Sequence, residues 1–423
     1  MSGTARPPLP ASSWILGALL ASAFIVALGY GIVLPVLPKM VERLADPVDP
    51  TFNARHIGFL TAAYVAAPMA VAFLWGRVSD LLGRRPILIV GLIGFAVTLA
   101  ASALAPNLLL LYIGRILNGA FAAAVVPTAL AFIADTTGDD DRRARTFGWI
   151  SMASIAGFLL GPMLGGLAAG WAFGSGRAAS SLQAAPFLLA SGLALAAAGG
   201  VRLILPGGRV TGDAAETKNR EASTFVPGEI RLLALASVAA AGLGAFEVGL
   251  TLRNNELTMT PAELGFTFAT CSVVMFAVQG LVFSPLVKPA ATRVFVAPAF
   301  LVMAIGLAVI PSIAGFSEML FAVSIVAASA GVISPLLAFW VTRITARSQG
   351  VELGIQSATV SLGQSVGSAG AGLLFGFYGL QGAGFLAAAV AMGVAAMASL
   401  KLPRLMAPVT ADPRAVSTGN VPE

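Results

Sequence analysis

The chain has 423 residues, of which 57% are hydrophobic and only 10% charged, with a formal net charge of +6 at pH 7. A soluble protein carries about 25% charged residues, so this composition excludes an ordinary soluble globular protein. One cysteine, Cys271, and one histidine, His56, exclude an intramolecular disulfide, a multi-cysteine metal site and histidine-rich chemistry; neither a metal nor a cofactor is expected.

A membrane-crossing helix needs about 20 mostly apolar residues, and twelve such runs follow one another along the chain. Run 1, residues 13–38, is too long for the roughly 7–15-residue core of a cleaved signal and reads as a retained helix. Its segment "ALGYGIVLPVLP" holds Tyr30 as its only polar side chain. Run 2 covers 56–75, with Tyr64 inside it and His56 at its outer start, where a surface role outweighs a proton-carrying one. Between runs 2 and 3 (86–105) lies "GRVSDLLGRRP", a cluster of glycine and charge with Gly76, Arg77, Asp80, Gly83, Arg84 and Arg85. Run 4, 107–134, contains "GRILNG", which puts Arg115 well inside the bilayer with Asn118 three residues on. Run 5, 147–172, carries "GFLLGPMLGG". Gly157, Gly161 and Gly165 share one helix face there, Pro162 bends the helix, and Gly166 follows. Such a face suits a partner helix that moves. Run 6 covers 183–205.

The polar stretch 206–228 reads as a flexible linker, too short to house a nucleotide-binding domain, and no G-x-x-x-x-G-K-[ST] occurs anywhere. It divides the chain into an N-terminal six-helix bundle (1–205) and a C-terminal one (229–423) with a short tail. Runs 7 to 12 cover 230–253, 262–287, 293–312, 316–343, 351–377 and 380–401. Run 7 contains Glu247, the one acid clearly inside an apolar run. Gln279, Gln356 and Gln364, further along, read mostly as bridges between helices.

With the N-terminus in the cytoplasm, 19 Lys and Arg fall in inner segments and 5 in outer ones, with Arg115 left inside a helix. That split places both termini in the cytoplasm and accounts for the basic pI without nucleic acid. The halves echo each other. Gly148, Gly157, Gly161 and Gly166 recur 206 residues later as Gly354, Gly363, Gly367 and Gly372, and "VVPTALAF" has a looser counterpart in "VISPLLAF". Parallel six-helix repeats with a site between them are one plan of secondary transporters.

On these residues the chain resembles the major facilitator superfamily. Gly76 to Arg85 looks like its motif A, Gly114 to Gly119 like motif B, and Gly157 to Gly166 matches the G-x-x-x-G-P-x-x-G-G of motif C. Motif C marks the twelve-helix drug:proton antiporters, and "ADTTGDDDRRARTFG" (134–148) is similar to a loop of the tetracycline exporters. The resemblance implies an all-α membrane protein with twelve transmembrane helices in two six-helix pseudo-repeats. It also implies that Gly76, Arg77, Asp80, Gly83, Arg84 and Arg85 latch the cytoplasmic side against run 11, where Arg343 and Arg347 are available and Glu352 competes. Gly76 and Gly83 would let helices approach closely, and Asp80 would sit at a helix start.

Intramembrane charge is costly and marks function. Burial disfavours the ionised carboxyl, so a carboxyl on an apolar cavity can load and release a proton. Arg115 and Glu247 are therefore expected to form the proton and substrate switch, with Tyr30 and Asn118 beside them. The expectation is a monomeric proton-coupled exporter of a small amphiphilic, drug-like compound in the cell membrane. Export of one natural amphiphile (a lipid, siderophore or sugar) and passive facilitation stay open. An intramembrane enzyme is disfavoured because no nucleophile–base pair or paired-Asp helix is present.

Overall fold

The computed structural model describes residues 13–44, 50–137, 140–174, 179–206, 227–257, 259–282, 294–344, 349–375, 382–400 and 402. Within them the chain is helical, with no strand. The first repeat contains α1 (Ser13–Val33), α2 (Leu37–Leu44), α3 (Pro50–Leu82), α4 (Arg84–Ala103), α5 (Leu108–Ala122), α6 (Val125–Thr136), α7 (Asp140–Gly174) and α8 (Ala179–Ile204). The second contains α9 (Pro227–Glu256), α10 (Pro261–Val282), α11 (Val296–Val309), α12 (Phe316–Ile344), α13 (Gln349–Leu374) and α14 (Ala383–Ser399). Nine spans among the described residues are long and apolar enough to cross a membrane, α5 and α6 forming one of them. The other three positions are filled by the shorter apolar helices Val296–Ser312 and Ala383–Ser399 and by α13, whose serines and glutamines lower its hydropathy. The expected linker at 206–228 lies almost wholly outside the described residues.

Two apolar runs are broken, each next to a proline. Pro35 has no N–H to give the Gly31 carbonyl, so Leu34 N–H takes it instead at 3.2 Å and α1 stops. Near Pro127, Ala124 N–H bonds Phe121 O rather than Ala120 O. The freed Ala120 carbonyl accepts from Trp75 Nε1 at 2.7 Å, so that acceptor is not stranded in lipid.

The segment 76–82, expected as loop, is instead the end of α3. A single residue, Gly83, separates it from α4, at φ 96°, ψ 157°, a region open essentially to glycine alone. Asp80 thus sits in the last turn of a helix and not at a helix start. The dipole there disfavours a negative charge, and the ion pair from Arg84 offsets it.

Equivalent helices pair in both repeats. α1 packs on α7 and α8, as α9 packs on α13 and α14; α3 meets α5 as α10 meets α12; α4 meets α5 and α8 as α11 meets α12 and α14. The shared glycines explain the 206-residue echo. A Cβ on Gly157, Gly161 or Gly165 would run into the carbonyl oxygen of Phe24, Leu28 or Ile32 on α1. A Cβ on Gly363 or Gly367 would run into that of Ser237 or Ala241 on α9. Both seams step by four on both helices. They lie inside a repeat, so Gly157, Gly161 and Gly165 pack on α1 of their own bundle, whereas their sequence suggested an interface between the halves.

The contacts between the repeats are elsewhere. The repeats touch through α3 on α13 and α7 on α10. A Cβ on Gly58 would come within 2.8 Å of Gly372 Cα, and one on Gly265 within 2.6 Å of Pro162 O and 3.2 Å of Gly166 Cα. These crossings lie at the ends of the helices remote from the Arg-rich connectors. Towards the Arg-rich end, Gly76, Gly148, Gly280 and Gly354 have nothing within 4 Å of a Cβ position. The glycine crossings between the repeats that the described residues show therefore lie at one end.

Gly372→Val drives a branched side chain into Ala54 O and Gly58 Cα, 2.6 and 2.8 Å from the new Cβ. Overpacking costs about 1–3 kcal/mol, a roughly 5- to 150-fold shift of a two-state balance. Spin labels at Arg55 and Ala314, in a Cys271→Ser background, should report a longer distance across the closed end in the variant.

Candidate functional site

Six side chains from both repeats converge between the seams. Tyr30 comes from α1, Tyr64 from α3, Arg115 from α5, Phe158 from α7, Glu247 from α9 and Gln364 from α13. The glycines set their positions. Gly31 lets α7 approach α1, placing Pro162 Cδ 2.7 Å from its Cβ position, and Phe158 then stacks on Tyr30 with centroids 5.7 Å apart. Gly244 does the same for α13, with Ser368 Oγ 2.8 Å from its Cβ position, which brings Gln364 to Glu247. Gly119 admits the Tyr64 carbonyl against α5, and Arg115, one turn earlier, lies over the Tyr64 ring.

Glu247 is 1% exposed. Its Oε2 accepts from the Tyr30 hydroxyl at 2.8 Å and from Gln364 Nε2 at 3.2 Å. The same Gln364 nitrogen lies 3.4 Å from Oε1 and 3.5 Å from Tyr30 Oη. Tyr30 also stacks on Tyr64 at 4.8 Å. Among the described residues no cation lies within 4.0 Å of the carboxyl. Arg253, six residues on from Glu247, donates to the Pro311 and Ile313 carbonyls at 3.1 and 2.9 Å. A carboxyl held only by neutral donors can gain or lose a proton without breaking an ion pair.

Arg115 is 1% exposed as well. Its guanidinium carbon lies 4.5 Å from the Tyr64 ring centre and 6.0 Å from that of Tyr30. Nε donates to Leu60 O at 3.4 Å. Arg115 and Glu247 are thus brought to one cluster with a tyrosine between them, and they do not pair directly. Asn118 stays out of it: Nδ2 donates to Phe95 O at 3.0 Å and Thr98 Oγ1 at 3.2 Å, tying α5 to α4. His56 is peripheral, against Tyr112 Oη at 2.9 Å and the Phe52 ring.

The charge cluster between α3 and α4 forms a separate network. Arg84 pairs with Asp80, donates to Asp135 Oδ2 at 2.8 Å and to Ser79 Oγ at 2.6 Å. Arg85 donates to the Arg202 carbonyl, and Arg77 lies over the Phe73 ring at 4.1 Å. Gly76 has open space around it, contrary to the close approach expected of it. The side chains of Arg343, Arg347 and Glu352 lie outside the described residues, and the described contacts of Asp80 stay in its own repeat.

Tyr64, Phe158 and Gln364 were not singled out for the site by sequence. A usable signal existed, because Phe158 and Gln364 are 206 residues apart, each directly after the first glycine of its seam. Among the described residues no group of His, Cys, Asp or Glu could hold a metal.

The Major Facilitator Superfamily model matches residues 19–313 of this chain. The chain is 26% identical over 367 residues to multidrug resistance protein 2 of Bacillus subtilis, covering 84% of this chain and 88% of that protein. It is 25% identical over 356 residues to the quinolone resistance protein NorA of Staphylococcus aureus, covering 83% and 87%. Its likeness to the class G tetracycline resistance protein of Vibrio anguillarum is higher, 39%, but spans 165 residues, 39% of this chain and 41% of that protein. Among solved structures, a bacterial homologue of the human lysosomal transporter Spinster, inward-facing and unoccupied, gives a TM-score of 0.73 at 16% identity, covering 95% of this chain and 98% of that one. The D-xylose–proton symporter gives 0.71 at 14%, covering 92% and 97%; both likenesses concern the fold.

Tyr30→Phe removes the one hydroxyl bond that, among the described residues, links the first repeat to Glu247. A hydrogen bond to a charged group contributes about 1.5–3 kcal/mol, so the repeats should part more easily. The same label pair at Arg55 and Ala314 should show a larger open fraction in Tyr30→Phe, and stopped-flow quenching at this end should speed up.

Proposed function

Because the chain belongs to the Major Facilitator Superfamily, and is thus a multi-pass transporter of the cell membrane and not an enzyme, we propose that it exports a small amphiphilic, drug-like compound in exchange for protons. The observation that carries this reading is the Glu247 carboxyl. It is buried on the second repeat, bridged to Tyr30 of the first at 2.8 Å, and has no cationic partner among the described residues. The names of the multidrug, quinolone and tetracycline resistance relatives favour the same substrate class.

In this reading the two bundles, 1–205 and 229–423, rock about the site while the 206–228 segment tethers them. The 19-to-5 distribution of Lys and Arg supports both termini, and the end without glycine crossings, lying in the cytoplasm. The conformation described is then the inward-open one. A compound entering from the cytoplasm meets the Tyr30, Tyr64 and Phe158 rings and competes with the proton for Glu247. Loss of that proton leaves a carboxylate that holds a cationic group; after outward opening, a proton from outside displaces the compound. Opening outward requires the Gly58–Gly372 and Gly265–Gly166 crossings to separate. It also brings the motif A cluster towards α13, where Asp80 latches the closed cytoplasmic side.

Glu247→Gln imitates the protonated carboxyl permanently. In proteoliposomes with ethidium as the compound, uphill efflux driven by a pH gradient should vanish while gradient-free exchange survives. Gradient-driven efflux at wild-type rate would remove Glu247 as the carrier, and dye movement without any proton flux in the wild type would identify a passive facilitator. Asp80→Asn should slow efflux while leaving ethidium affinity within a few-fold, because the latch lies away from the site.

A further inference from the structure

Arg115 presents a problem that the proton reading leaves unsolved. A guanidinium stays charged at any relevant pH and carries five N–H donors. In Arg115 one of them, on Nε, reaches the Leu60 carbonyl at 3.4 Å. Nη1 and Nη2, which carry the other four, have no hydrogen-bond partner among the described residues, although the residue is only 1% exposed. No carboxylate lies within 4.0 Å among the described residues. Its own helix carries one buried acceptor without a hydrogen-bond partner among the described residues, Asn118 Oδ1, three residues on. One amide oxygen has two lone pairs, too few for four donors, and it carries no charge. A buried cation left this way is strongly unfavourable, and the aromatic ring beneath it returns only part of that.

The placement narrows what completes the site. The guanidinium lies over the Tyr64 and Tyr30 rings, and the Tyr30 hydroxyl leads on to Glu247. One tyrosine thus separates a fixed positive charge in the first repeat from a titratable negative one in the second. An acid seated on Arg115 and a cation seated on Glu247 would lie at the two ends of one aromatic stack.

We propose that Arg115 is an anion seat, and that the exported compound bears, beside its aromatic body and cationic group, an acidic group that binds Nη1 and Nη2 of Arg115. The inference rests on the export reading above and puts zwitterions ahead of simple cations such as ethidium among its compounds. Seating parts the Tyr30–Tyr64 stack, and the aromatic body of the compound replaces the ring contact that is lost. Chloride has the same charge and can reach the same nitrogens, so a free anion is the second source of the same chemistry.

The test uses a matched pair of dyes, rhodamine 110, a zwitterion with a free carboxylate, and rhodamine 123, its methyl ester. Binding to the full chain in nanodiscs is read by fluorescence anisotropy, with empty nanodiscs subtracted. Wild type should bind rhodamine 110 roughly ten-fold or more tightly than the ester, the size of one charge-assisted contact. Arg115→Gln should erase the difference by weakening rhodamine 110 alone, and Arg115→Lys should keep part of it. Replacing chloride by gluconate separates the sources. Unchanged rhodamine 110 affinity assigns the seat to the compound's own acid, and a several-fold gain shows chloride competing for the same nitrogens. Equal affinity of wild type for both dyes, or tighter binding of the ester, would overturn the proposal without needing any variant. Equal weakening of both dyes in Arg115→Gln would overturn it too, leaving Arg115 a structural hub. If only the ester binds and Glu247 still couples its efflux to protons, the export reading stands and the anion seat fails; binding of neither dye counts against both.

Discussion

The site depends on one constraint, the close approach of two helix pairs along glycine seams. In a bilayer no hydrophobic force drives one helix onto another, since lipid is as apolar as leucine, and association relies on packing at short range. Gly157, Gly161 and Gly165 bring α7 so near α1 that any Cβ would strike main-chain oxygen, and Gly363 and Gly367 do the same for α13 on α9. Larger residues would push α7 and α13 outward, and Phe158 and Gln364 would lose Tyr30 and Glu247. The polar cluster is therefore a consequence of main-chain contact. It is also why its members come from four seam helices plus α3 and α5.

The same element serves two mechanical ends according to which helices it joins. Inside a repeat, three or two glycines in register make a long seam that holds each bundle as one body. Between repeats, the crossings at Gly58–Gly372 and at Gly265 with Pro162 and Gly166 bring main chains together at one end of the bundles. Among the described residues, the side-chain bonds that Tyr30 of α1 carries across the middle run to Glu247 at 2.8 Å and to Gln364 at 3.5 Å.

Much of this was legible in the sequence, for identifiable reasons. Hydropathy located all twelve runs because the bilayer imposes a length, and Arg115 and Glu247 stood out because charge in lipid is costly. The helix ends were less legible. Residues 76–82 are polar enough to leave the membrane yet remain helical, so composition marked the membrane boundary and missed the end of α3 at Leu82. The glycine face of α7 was visible, but a spacing of four says only that something packs there. That its partner is α1 of the same repeat is a matter of topology. Gln364 looked like any other polar residue in an apolar run, and only its contact with Glu247 separates it from Asn118, which ties two helices within one repeat.

The central claim is that Glu247, held by neutral donors across the two repeats, exchanges its proton for the transported compound. It is tested most directly by proton release on binding. The purified chain in weakly buffered detergent, with a pH dye present, is mixed with ethidium. The account predicts release of close to one proton per bound dye by wild type and none by Glu247→Gln. Equal release from both proteins, or no release from a wild type that binds the dye, would contradict it.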